Sequence, residues 1–184
     1  GMVGTVDKSK QMTMDFKTKG ATIYMLGEIV DDINCSEYLY SYKGVKLSPA
    51  PYFNLEKEAN MQRTLSDLIN QGVIESAHDI SEGGLFIAVL ESAMIRNMGF
   101  EIYSAGDVRL DSFLFGESQG RAVVTVCPEK ENEFFEMLEI SGVPCCAVGK
   151  VREDMEIFVD EESFGKINNY KKVYDNTIGD VLDK

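Results

Sequence analysis

The sequence is short of histidine, of paired cysteines and of positive charge. It holds one histidine, His78, and four cysteines, Cys35, Cys127, Cys145 and Cys146, none of them in a C-x-x-C pair. That combination argues against a zinc centre. Cys145 and Cys146 are adjacent, so an extended backbone turns them to opposite faces. All four read as reduced, small, mostly buried residues of a cytosolic protein. Lysine and arginine number 18 against 31 acids, a net charge of −13. Non-specific binding to nucleic acid needs a basic surface, so the charge argues against that class of partner. It leaves open a phosphate ligand held by backbone N–H groups at a helix start. No apolar run approaches the roughly 20 residues that span a bilayer, which argues against a membrane partner. The opening Gly1-Met2-Val3-Gly4 has neither the charge nor the apolar stretch of a signal peptide.

What is present is ordinary globular material. Apolar residues make up 44% of the 184 and aromatics 10%, enough for a core without disulfides or metal. Residues 1–19 read as a polar arm and 20–184 as one domain. Ala21 to Leu26 is an apolar run that reads as a buried strand. Ser36 suits the N-cap of a short helix through Leu39. Pro49 and Pro51 mark a loop. Asn54 caps a long helix with a stripe at Leu55, Met61, Leu65, Leu68 and Ile69, and Gly72 stops it. Val73 to Ala77 reads as a short strand. His78 to Gly84 is a polar turn opening into a helix apolar on most sides, Leu85 to Ile95, which must be buried. Phe100 to Tyr103, Arg121 to Val126 and Cys145 to Val151 read as strands. Pro128 opens a helix that Gly142 ends, Met155 to Val159 pairs after a turn at Glu153-Asp154, and the tail from about Ile167 is helical. Strands alternate with helices, so the class is α/β, a mixed sheet with helices packed against it. The sequence has no internal repeat and no low-complexity segment.

Three segments could carry chemistry. In Ala77-His78-Asp79-Ile80-Ser81-Glu82-Gly83-Gly84-Leu85 a strand gives way to a buried helix. The first N–H groups of that helix lack partners, the glycines allow close approach, and Asp79 offers an oxygen to Mg²⁺. The structural alternative, slightly favoured on physics alone, has Ser81 capping the helix, the glycines packing tightly and Asp79 satisfying backbone groups. In Phe115-Gly116-Glu117-Ser118-Gln119-Gly120-Arg121 a polar triplet precedes a buried strand and reads as a ligand edge or a solvated turn. In Asn34-Cys35-Ser36-Glu37-Tyr38, Asn34 and Ser36 suit a phosphate or metal, or an ordinary cap. His78 reads as a structural histidine bonded to backbone, since no nucleophile pattern surrounds it.

Together with Thr13-Met14-Asp15-Phe16-Lys17 and Leu26-Gly27-Glu28, these strings occur in an order and spacing similar to the last domain of phosphoribosylformylglycinamidine synthase subunit II. The chain resembles that AIR synthase-related C-terminal domain over nearly its whole length. The His-Asp-Ile-Ser-Glu-Gly-Gly-Leu string is the specific part. The resemblance implies a three-layer sandwich, partly ferredoxin-like, with residues 1–19 closing the preceding domain. It implies a ligase of purine biosynthesis, an amidotransferase that phosphorylates the formamide oxygen of formylglycinamide ribonucleotide and displaces it with glutamine-derived ammonia. ATP and Mg²⁺ are the implied cofactors. The implied partners are the remaining synthase domains, a glutaminase subunit, a small accessory subunit and the phosphoribosyl nucleotide substrate. By the same resemblance Ser36, Glu117, Ser118 and Gln119 would contact substrate, Ile33, Gly83 and Gly84 the nucleotide, and Asn34 and Asp79 the metal. Cys35 stands where the family usually has glycine. No catalytic residue is expected here, because those lie in N-terminal-type domains, and the isolated piece is expected to be inactive. The alternative is a stand-alone nucleotide-binding or regulatory module of the same fold.

Overall fold

The computed structural model describes Gly1 and residues 4–182. Met2, Val3, Asp183 and Lys184, which the arm and the domain as read from sequence include, lie outside the described residues. Seven strands form one sheet: β1 (Thr22–Leu26), β2 (Ser76–Asp79), β3 (Gly99–Ile102), β4 (Ala122–Val126), β5 (Cys145–Arg152), β6 (Glu156–Val159) and β7 (Glu162–Lys166), in the order β2-β4-β1-β5-β3-β6-β7. The β3–β6 pair is parallel and every other pair antiparallel. The helices are α1 (Leu55–Gln71), α2 (Gly84–Met94), α3 (Leu110–Phe115), α4 (Glu131–Ser141) and α5 (Ile167–Leu182).

Alternation along the central strand sorts the helices into two layers. Tyr24 and Leu26 join Val124, Val126 and the apolar sides of α1 and α4 in one core. Ile23 and Met25 join Val123, Val148 and nearly all of α2 in the other. The class expected from sequence, a mixed α/β sheet between helices, is what forms.

Local differences from the sequence reading have local causes. Helix α1 starts as expected, with Asn54 Oδ1 accepting from the Lys57 N–H at 3.0 Å. It ends in a Schellman motif: Gly72, at φ 68°, donates to Ile69 and Val73 donates to Leu68. That cap consumes the Val73 N–H, and the strand begins later, at Ser76, and runs through His78 and Asp79. Those two residues are an edge strand, not a turn. Leu55, placed in the core stripe by spacing, is 71% exposed in the first turn. The short helix expected after Ser36 is a π-helical turn, Tyr38–Tyr42. Helix α3 is too short to show a period, and β7 is polar and almost wholly exposed, so neither announces itself in sequence. The cysteines are free, but Cys35 is exposed and the others half-buried, where burial was expected.

The arm is stitched to the domain. Phe16 is fully buried, and its N–H donates to the Ser92 carbonyl. Ala77 on β2 donates to Thr13, and Lys17 Nζ donates to the Glu75 carbonyl at 2.6 Å. Arg96 Nε pairs with Asp15 Oδ2 at 2.5 Å. These contacts satisfy part of the β2 edge, which would otherwise present unpaired backbone. Phe16→Ala removes a buried ring and should destabilise the fold by about 3–5 kcal/mol, measured by urea denaturation.

Burial pushes the Asp15 carboxyl upward, but hydrogen bonds from Thr13 and Arg96 and the charges of Lys17 and Arg96 outweigh it, so its pKa is lowered. A lowered carboxyl stabilises the fold fully above its unfolded pKa of about 4 and ceases to do so as pH falls through the lower folded value. The urea midpoint should therefore fall less steeply between about pH 5 and pH 3 in Asp15→Asn than in the parent chain.

Candidate functional site

Antiparallel pairing brings four chain segments to one end of the sheet. β1 finishes there at Leu26, opposite Ala122 where β4 starts and Cys145 where β5 starts, and β2 finishes there at Asp79. The loops 27–54, 80–83, 116–121 and 142–144 therefore meet. They meet backbone to backbone. A Cβ on Gly27 would lie 2.3 Å from the Gly120 carbonyl, and one on Gly116 would lie 2.6 Å from the Asp32 carbonyl. Both glycines are required by that closeness.

Arg121 sits at the centre, 5% exposed, donating to the Ser118 carbonyl at 2.9 Å and the Gly116 carbonyl at 2.7 Å. Burial brings its pKa down to about 10, against the pull of the Asp32 and Glu117 charges. It still carries its proton at neutral pH, so both carboxylates compensate a buried cation.

Glu117 is the junction between two loops. Its Oε1 accepts from the backbone N–H of Glu37 and that of Gly83, each at 2.8 Å. With Ser36, Glu37 and Glu82 it lines a cleft of about 350 Å³ that also reaches Cys35 and Lys46. Ser36 is buried; its Oγ donates to the Ile33 carbonyl at 2.6 Å and accepts from the Leu39 N–H at 3.3 Å. The Ile33 carbonyl is thereby held inside the turn. Asn34 donates its backbone N–H to Asp32 Oδ1 at 2.9 Å, beside Cys35. Cys35 has φ 55°, the left-handed conformation that glycine adopts without strain.

The triplet Glu117-Ser118-Gln119 faces three ways. Glu117 faces the cleft just described. Ser118 points inward, with its buried Oγ unpartnered. Gln119 lines a second cleft, of about 440 Å³, with Glu58, Gln62, His78 and Asp79. It also reaches a narrower one, of about 180 Å³, beside Asn54 and the Lys57–Glu28 ion pair. Structure thus joins Ser36 with Glu117 in one cleft and Asp79 with Gln119 in another.

His78 is not held by backbone, as the sequence reading had it. Its Nδ1 lies 3.1 Å from Asp79 Oδ1 and its Nε2 2.8 Å from Glu91 Oε2. The later position of β2 is the reason: it places His78 within the edge strand, where its ring reaches Glu91 on α2. Glu91 is the residue the sequence reading missed, and its signal was there, a lone acid in an otherwise apolar helix. Ser81 does not cap α2; its hydroxyl bonds Asp79, and Gly83 takes the cap position with φ 85°. Hydrogen bonds from Ser81 and His78 keep the Asp79 carboxyl low despite some burial. Among the described residues no three His, Cys, Asp or Glu converge on a point that could hold a metal ion. Asp79 alone fits Mg²⁺ only as one ligand among phosphate oxygens and waters.

The N–H groups of Gly83 and Gly84 are already taken, by Glu117 and by the Ser81 carbonyl. A Cβ at Gly84 would stand 2.7 Å from both the Leu114 carbonyl and Phe115 Cα, so this glycine serves tight packing of α2 on α3. Gly84→Ala, at φ 69° and against backbone, should cost roughly 2–5 kcal/mol, while Gly72→Ala, at φ 68° in open space, should cost about 1–2 kcal/mol. Thermal unfolding of the two variants checks the difference.

Residues 18–161 match the family described as AIR synthase related protein, C-terminal domain, and the chain belongs to that family. Within it, the chain is similar to the subunit PurL of phosphoribosylformylglycinamidine synthase. It is 42% identical over 161 residues to that subunit from Caldanaerobacter subterraneus subsp. tengcongensis, covering 87% of this chain and 22% of the relative. It is 34% identical to the one from Carboxydothermus hydrogenoformans, covering 99% of this chain and 26% of the relative. The chain thus spans about a quarter of these relatives' length. Among solved structures, Thermotoga maritima PurL complexed with FGAR superposes with a TM-score of 0.75 at 17% identity, over 89% of this chain and 30% of that one. The same protein complexed with ATP gives 0.66 at 18% identity, over 89% and 27%. Thiamine-monophosphate kinase from Stenotrophomonas maltophilia gives 0.60 at 17% identity, over 86% and 55%. At these identities the superpositions speak to fold alone.

Proposed function

We propose that this chain works as the C-terminal AIR synthase-related domain of a phosphoribosylformylglycinamidine synthase. The whole enzyme would convert formylglycinamide ribonucleotide to formylglycinamidine ribonucleotide with ATP, Mg²⁺ and glutamine-derived ammonia, in the cytoplasm. The observation that carries the reading is the 42% identity to a synthase subunit across 87% of this chain. Residues 1–19 would then close the preceding domain. The remaining synthase domains, a glutaminase subunit and a small accessory subunit would be the partners. A bare apolar surface suits such a piece: past the buried Ile167, α5 exposes Val173, Ile178, Val181 and Leu182.

The contribution of this domain is positioning. Phosphoryl transfer depends chiefly on placing phosphate and neutralising its charge. Glu37, Glu82 and Glu117 surround the first cleft with Lys46 as the one cation among its lining residues, so an unaccompanied phosphate is repelled there. A nucleotide would arrive with its divalent ion. In this reading Ser36, Glu117 and Gln119 meet substrate, Ile33 and Gly83 the nucleotide, and Asn34 and Asp79 the Mg²⁺, whereas Ser118 and Gly84, which face the interior, act through packing. No group of this chain acts as general acid or base, and the chain alone should show no turnover.

The test is thermal unfolding of this chain with Mg²⁺-ATP, Mg²⁺-ADP or formylglycinamide ribonucleotide, alone and mixed with the remaining synthase domains. A ligand at about 100 times its dissociation constant adds about 2.7 kcal/mol, a shift of several degrees. A Mg²⁺-dependent shift that Asp79→Ala abolishes is the expected result. Absence of any shift, with and without the other domains, would overturn the nucleotide-site reading.

A further inference from the structure

The 26 residues between Gly27 and Asn54 contain no strand, and their one regular element is the π-helical turn. Connections this long inside a compact domain are uncommon and tend to serve function. The segment is bonded well within itself. Val45 donates to the Leu39 carbonyl at 2.8 Å, Ser36 donates to Ile33, and the Cys35 N–H donates to Ser48 Oγ at 2.8 Å. Its far half is bare to solvent: Tyr42 is 73% exposed, Leu47 92% and Tyr52 76%. Little apolar area therefore ties it to the sheet.

The attachments to the body can be named, and they divide the segment: near its start Ile29 packs against the core that holds α2. The Tyr38 ring stacks on Phe115 at 5.1 Å with planes 1° apart. Asp32 contributes its charge toward the buried Arg121 and its carbonyl against Gly116. Glu28 pairs with Lys57 at an exposed position, where an ion pair contributes little. The remaining bond is the carboxylate of Glu117, whose single Oε1 holds Glu37 of the segment and Gly83 at the start of α2. Charge-assisted bonds of this kind are roughly twice as strong as neutral ones. Behind them lies the cleft lined by Ser36, Glu82 and Glu117.

We propose that residues 33–53 move as one lid over this cleft, hinged after the anchored stretch that ends at Asp32 and at the cap of α1, and that Glu117 is the latch that holds it shut. Gly27, at φ 99°, lies against Gly120 and donates its N–H to the Pro144 carbonyl at 2.8 Å, so the start of the segment is a fixed anchor from which the lid departs. Opening separates Glu37 from Gly83 and frees both N–H groups together. While the latch is shut, Oε1 is committed to two backbone donors, so any ligand that uses those donors must first release the lid. The device follows from contacts within the chain and does not depend on which ligand the cleft takes.

Amide hydrogen exchange of the ligand-free 184-residue chain tests it. In the parent chain the amides of residues 34–48 should exchange through a sub-global opening, faster than those of β1 and β4. Glu117→Ala removes both bonds and should speed exchange of 34–48 and of Gly83 by roughly tenfold or more, with β1 and β4 unchanged as the control for folding. Glu117→Gln keeps an acceptor oxygen without the charge, preserves the fold more securely, and should give an intermediate rate. Residues 34–48 exchanging only with global unfolding, or at an unaltered rate relative to β4 in both variants, would overturn the lid and its latch. Because no nucleotide is present, this outcome is separate from failure of the nucleotide reading.

Discussion

A guanidinium without water around it constrains this end of the molecule. Arg121 opens β4, lies buried beneath the loops, and donates to the carbonyls of Gly116 and Ser118. Taking such a charge out of water costs several kcal/mol unless hydrogen bonds and opposite charges replace the solvent. The carbonyls supply the first, and Asp32 and Glu117 supply the second from two different segments. For those segments to come close enough, backbone must touch backbone, and only glycine at 27 and 116 permits it. The cleft is a consequence: it is the space left where loops gathered around one cation fail to close.

The sheet makes that gathering possible. β1, flanked by β4 on one side and β5 on the other, is covered on both faces, so its register cannot slip without exchanging its two cores. Fixed register places the ends of β1 and β2 and the starts of β4 and β5 together. Nothing comparable fixes the opposite border, where β7 is thin and polar and α5 is held chiefly through Ile167 and Tyr170. The firm scaffold therefore lies at one end of the molecule and the exposed apolar residues of α5 at the other.

Much of this was legible in residues. Apolar runs gave the central strands, and the mostly apolar α2 gave a buried helix, because burial on all sides leaves no periodic polar face. Asn54 and Gly72 gave the limits of α1 through capping chemistry. What stayed hidden depends on contacts far apart in sequence. Ser81 looks like a cap for α2, yet Asp79 claims its hydroxyl. Val73-Ile74 looks like a strand, yet the helix cap before it claims Val73. Gly83-Gly84 suggests ligand approach, and Gly84 turns out to lie against the α3 backbone. The triplet 117–119 reads as one ligand edge, whereas the fold sends its side chains to a cleft, into the interior and to a second cleft. Local sequence cannot reveal where a neighbour 30 or 80 residues away will stand.

The division of labour in the site follows from charge. An acid-rich chain of net charge −13 does not attract phosphate by its surface field. Under the proposed function, an anion would be held by oriented N–H groups and by a metal brought along. Oriented N–H groups left bare would be costly in a partly buried cleft, and here an internal carboxylate satisfies them until something better arrives. Glu117 can do so because Arg121 already makes a negative charge welcome at that point. The same residue that compensates the buried cation thus keeps the loop closed, while Asp32 supplies the larger share of the opposing charge on Arg121.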